Sequence, residues 1–113
     1  MSDNPVEICE REYPELTEAF KLIQREQYEL FCRKHMNYGL DNISLGTSLE
    51  SNDDKRLSLT GIWFRVHDKI QRLRQLVINR VDDMVGEDVN ETLNDMSNYG
   101  VIARLVNMRK WKR

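Results

Sequence analysis

Apolar residues recur every three to four positions along three stretches of this chain, and nowhere do they alternate long enough to predict a strand. Leu16, Phe20, Ile23 and Leu30/Phe31, with Gln27 and Lys34 at the same spacing, predict a first helix from about Pro14 to Met36. Pro14 suits its opening turn, where a backbone N–H would be unpaired in any case. Asn37-Tyr38-Gly39 closes it, because glycine readily takes the left-handed conformation at a helix end. A second helix runs from Leu57 to Val81 and is expected to bury Leu59, Ile62, Trp63, Val66, Ile70, Leu73, Val77 and Val81. A third runs from Asp88 to Asn107, with Val89, Leu93, Met96, Gly100 and Ala103 on its apolar stripe. The short turn Asp82–Gly86 predicts that the second and third helices are antiparallel neighbours. Residues 40–56 are polar and turn-rich, a long connector of the kind that is functional or disordered in small domains. The expectation is one all-α domain over 1–113, with its core at about 14–108 and three long helices in an antiparallel bundle.

The polar faces of these helices carry the candidate chemistry. Asp88, Glu91, Asp95 and Asn98 share one stripe of the third helix, and stacked oxygen ligands are what a hard cation such as Mg²⁺ needs. An acidic first turn favoured by the helix dipole explains Asp88 and Glu91 equally well, but Asp95 and Asn98 lie beyond that turn. On the second helix Arg65, Asp68, Lys69 and Arg72 repeat at i, i+3, i+4 and i+7, a row that can hold a phosphate chain. The competing reading is a set of exposed ion pairs worth only ~0.3–0.5 kcal/mol each. Lys34, Asn37 and Tyr38 at the end of the first helix are within reach of the same cleft. Tyr38 and Tyr99 each adjoin a glycine, and each either stacks on a base or caps a helix end. Phe20, Phe31, Trp63 and Phe64 read as packing residues, and His35 and His67 do not form a ligand pair.

Composition narrows the function classes. The net charge is −2 with 32% charged and 40% apolar residues, which points to a soluble helical protein without a strong nucleic-acid signal. The ending Arg109-Lys110-Trp111-Lys112-Arg113 reads as a solvated helix terminus. Cys9 and Cys32 are far apart and outside any CxxC pair, so neither a zinc site nor a disulfide framework is expected. No leader-like or membrane-spanning run is visible, which implies a cytoplasmic protein. There is no phosphate-loop, dinucleotide-binding, zinc-protease or nucleophile-elbow motif. Three amphipathic helices in so short a chain bury only about two-thirds of their unfolded surface, so a homo-oligomer is expected.

Three motifs carry a family resemblance. They are Phe31-x-x-Lys34-His35-x-Asn37-Tyr38-Gly39, then Gly61-Ile62-x-x-Arg65-x-x-Asp68-Lys69-x-x-Arg72-Leu73, then Gly86-Glu87-x-x-x-Glu91-Thr92-Leu93-x-Asp95-x-x-Asn98-Tyr99. Together they resemble the nucleotide modification associated domain, type 1, over residues 16 to 108. The resemblance implies a small helical protein, frequent in phages and acting in the host cytoplasm, tied by gene context to nucleotide and DNA-base modification. Its architecture is similar to that of the all-helical MazG and dimeric dUTPase pyrophosphohydrolases, which hold Mg²⁺ with acids from two helices. Carried over, Glu91 and Asp95 correspond to their second acidic pair and Glu26 and Glu29 to the first. The chain departs from the EExxE and ExxD patterns, having one acid fewer and a longer second spacing. Two functions follow. The first is a Mg²⁺-dependent nucleotide hydrolase with Asp88, Glu91 and Asp95 on the metal and Lys69 and Arg72 on phosphates. The second is a nucleotide-binding protein without chemistry, such as a sponge for a cyclic or ADP-ribose-derived immune signal in anti-defence.

Overall fold

The computed structural model describes residues 3–113, so Met1 and Ser2 of the expected domain lie outside it. The described residues are all-helical, without a strand: α1 (Pro5–Glu12), α2 (Pro14–Tyr38), α3 (Asp41–Ser44), α4 (Asn52–Leu73) and α5 (Val89–Asn107). The last turn of α4 widens into a π-helical segment over Arg74–Ile78. The three long helices are the ones that the hydrophobic period predicts. α1 and α3 are additions to that picture.

Caps set most of the boundaries. Asn4 opens α1 by accepting from the Val6 N–H at 2.8 Å, with Pro5 in the first turn. Gly39 closes α2 at φ 70, ψ −156, a conformation open only to glycine. α4 starts five residues earlier than its apolar pattern predicts, because the Ser51 hydroxyl accepts from the Asp54 N–H at 3.0 Å and so nucleates the turn. At α5, Asp88 lies just outside the helix and its carboxylate accepts from the Glu91 N–H at 2.8 Å. The other end of α5 is a Schellman turn: Lys110 N–H donates to Leu105 O and Arg109 N–H to Val106 O, with Arg109 left-handed at φ 58. That reversal turns the tail back onto the molecule.

Two residues of the expected loop belong to the core. Ile43 and Leu49 are buried together with Ile62, Ile102, Val106 and Trp111. A connector buried this way must find partners for its carbonyls, and long side chains from elsewhere supply them. Ser58 Oγ donates to Ile43 O at 2.8 Å, Arg65 to Asn42 O at 2.8 Å, Trp111 Nε1 to Leu40 O at 3.0 Å and Arg109 to Glu50 O at 3.1 Å. The basic tail is therefore not a free helix end.

Two burial expectations are corrected. Of the apolar residues expected to be buried on the second helix only Ile62 is, and Leu59, Val66 and Leu73 are half-buried, whereas Trp63 and Ile70 on α4 and Val77 and Val81 beyond its end are exposed, as are Phe20 on α2 and Phe64 on α4. The α3 and α5 layers cover one narrow strip of α4 and leave the rest of its apolar surface open. On α5 the buried face runs through Thr92, Ile102 and Val106, with Asp95 and Tyr99 half-buried, and not through Leu93 and Gly100. This rotation matters for function, because it turns Asp95 and Asn98 inward and leaves Asp88 and Glu91 in solvent.

Candidate functional site

α4 and α5 lie side by side as the short turn predicts, and Lys69 and Arg72 of the cationic row are paired, Asp95 being the member of the acidic row that takes part. Asp95 accepts from Lys34 at 2.9 Å and sits 3.0 Å from Lys69; Lys69 reaches Glu87 at 2.6 Å; Arg72 Nε lies 2.9 Å from Glu87 Oε2, and its Nη2 lies 2.8 Å from Asp83. Arg72 also donates to the Glu87 carbonyl. Three cations, Lys34, Lys69 and Arg72, thus meet three carboxylates, Asp95, Glu87 and Asp83, and this network carries no surplus charge.

The directions of two pKa shifts fit this network. Burial alone would raise the Asp95 carboxyl, but Lys34 and Lys69 outweigh it and hold the group below the usual carboxylate range. Burial alone would lower the Lys69 ammonium, and Glu87 and Asp95 outweigh it, so that its pKa is raised.

Beside Asp95 opens a cavity of about 310 Å³. α2 contributes Phe31, Lys34, His35 and Tyr38; α3 contributes Asn42 and Ile43; Arg65 comes from α4; Asp95, Asn98, Tyr99 and Ile102 come from α5; Trp111 comes from the tail. Its volume is at the lower end of the ~300–1,000 Å³ typical of small-molecule sites. One wall is an aromatic cluster in which His35 stacks on Phe31 at 5.6 Å and Trp111 meets both rings edge-on at 5.1 and 6.0 Å. Arg65 differs from the paired cations. It is half-buried, its contact is the Asn42 carbonyl, and no carboxylate of the described residues lies within ion-pair range. The buried Oδ1 of Asn42, on the same wall, has no hydrogen-bond partner.

Residues 58–108 match the family model of nucleotide modification associated domain 1. The family match spans most of α4, the turn and α5, and so contains Arg65, Asp95, Asn98, Tyr99 and Ile102 of the cavity. α2 and its motif at residues 31–39 lie outside it. No curated protein and no solved structure matches the chain.

Of the residues that the sequence singles out, Lys34, Tyr38, Arg65, Asn98, Tyr99 and Asp95 line the cavity, and Asn37, Lys69, Arg72, Asp88 and Glu91 do not. Asp88 is a helix cap, Glu91 is exposed, and Asp95 is held between two lysines, so these three acids do not converge. Glu29 pairs with Arg25 on the exposed side of α2. Among the described residues no group of three acids, histidines or cysteines is arranged to hold a metal ion. Sequence reasoning missed His35, Asn42 and Trp111. For Trp111 there was a signal: a large aromatic set among cations at a chain end has its ring to bury. No helix of the described residues is long and apolar enough to cross a membrane.

Proposed function

We propose that this protein binds a nucleotide or nucleotide-derived ligand in the cavity around Arg65, and that it holds the ligand without hydrolysing it. One observation carries this reading: a half-buried arginine with no carboxylate partner opens onto an aromatic pocket inside a segment matched to a nucleotide-modification family. An unpaired guanidinium suits a phosphate oxygen, which it can take with two parallel hydrogen bonds. Tyr38 and Tyr99 provide faces for a base, and Asn98 and Asn42 provide amides for its edge or for the sugar. Binding is favoured over hydrolysis because Asp95 is the one acid lining the cavity among the described residues and is already paired with Lys34 and Lys69. A sponge for a phosphorylated signal needs nothing more than this set.

The test is incubation of the protein with a panel of linear and cyclic nucleotides and Mg²⁺, with chromatography before and after heat denaturation. Recovery of the intact ligand only after heating is the expected result. A product that appears before heating contradicts sequestration. Arg65→Ala should weaken binding by about 1.5–3 kcal/mol, the worth of a charged, desolvated hydrogen bond. Unchanged affinity in that variant would remove Arg65 from the site.

A further inference from the structure

The chain is more open than its size predicts. Its radius of gyration is 17.2 Å, where a compact domain of this length has about 13 Å. Its accessible surface is 8869 Å², whereas a folded monomer of this mass exposes about 6,500 Å². The excess of about 2,300 Å² per chain is of the size that an obligate homodimer interface removes, about 2,000–5,000 Å² for the pair.

The uncovered surface is concentrated in two places. One is an arm made of α1 and the first half of α2. The polar contacts of α2 with α5 fall at Gln27 and Lys34, and the same stripe continues outward through Ile23, Phe20 and Leu16, each at least half exposed. The other is the outer face of α4, where Trp63 and Ile70 stand seven residues apart and are exposed, with the exposed Val77 following in the π-helical segment. Arg56 and Arg74 share that face, and a groove beside it is lined by Lys55, Arg56 and Trp63. Charge differs between the two surfaces: residues 3–29 hold eight acidic and three basic side chains, and the exposed Arg56 and Arg74 flank the apolar face of α4. Glu15 and Glu26 on the arm have no ion-pair partner among the described residues.

We propose that two copies of this chain pair reciprocally, the acidic, apolar-striped arm of each lying on the basic-edged apolar face of α4 in the other. A reciprocal contact of this kind is closed by a two-fold axis and leaves no sticky end. It covers both surfaces at once and brings opposite charges together at the rim. The proposal does not depend on what the cavity binds.

Sedimentation and native mass measurement of the unliganded protein at micromolar concentration should give about 27 kDa, twice the 13.5 kDa chain. A mass of 13.5 kDa at every concentration overturns the pairing. The arrangement is read from two cysteine variants, Phe20→Cys and Ile70→Cys, each with Cys9→Ser and Cys32→Ser. They are mixed, exchanged and treated with a short bismaleimide. Cross-linking between the two variants, in the mixture alone, is the expected result. Phe20→Cys joined to itself, or no cross-link in a dimeric sample, overturns the contact of arm on α4. Phe20 and Ile70 are exposed and Cys9 and Cys32 half-buried, and circular dichroism of each variant before mixing confirms that it keeps the helix content of the parent.

Discussion

At the scale of single residues, Asp95 and Arg65 divide the charge logic of the site. Asp95 ties Lys34 and Lys69 together, so those lysines contribute to holding α2, α4 and α5 in place rather than to an open anion site. Asp95→Asn should therefore lower stability by about 1–2 kcal/mol through loss of a charged hydrogen-bond acceptor, while the freed lysines raise affinity for phosphate. The pH dependence has a definite sign. A carboxyl whose folded pKa is depressed stabilises the fold fully above its unfolded value of about 3.9, and that contribution is lost as pH falls through the lower folded value. Urea melts should show a constant gap between wild type and Asp95→Asn from pH 7 to about pH 5, closing below about pH 4. A gap that persists at the acid end would show that the loss is not electrostatic. The raised Lys69 pKa acts in the opposite range, its contribution being intact below about pH 10.4 and lost only above it.

At the scale of elements, α2, α4 and α5 are legible in the sequence because each carries a long 3.6-residue apolar period, which local steric and burial rules translate directly into helix. α1 and α3 are not. α1 is eight residues with no buried side chain, and α3 is a single turn whose carbonyl environment depends on Ser58, Arg65 and Trp111, all distant in sequence. The start of α4 was readable from Ser51-Asn52-Asp53-Asp54, a cap followed by acids, although no apolar period accompanies it. Half of the site was legible for the same reason: Lys34, Tyr38, Arg65, Asp95, Asn98 and Tyr99 stand on helical stripes whose phase can be counted. Asn42 and Trp111 were not, because turns and non-local hydrogen bonds bring them to the cavity. Asp88 shows how one residue type serves two readings, as ligand or as cap. In the capping role Asp88→Ala should cost about 0.5–2 kcal/mol, while Asp88→Asn should be nearly neutral because asparagine caps as well. Thermal unfolding of the two variants separates the roles; equal loss in both would mean that the negative charge, not the cap, is what matters.

At the scale of the molecule, the tail contributes Trp111 to the cavity wall, and the apolar faces of the arm and of α4 are open. Trp111 is buried at 8% exposure, joins the core to the cavity wall, and holds the segment after α2 through Leu40. Its ring is in position to report on a ligand, and the chain has one other tryptophan, the exposed Trp63. The most direct test of the central claim is a fluorescence titration of the Trp63→Phe variant, in which Trp111 is the sole tryptophan, against the panel of linear and cyclic nucleotides. A saturable change in Trp111 emission with at least one phosphorylated nucleotide, lost when Arg65→Ala is added, is the predicted result. Emission unmoved by every nucleotide, or an identical titration without the arginine, would contradict it.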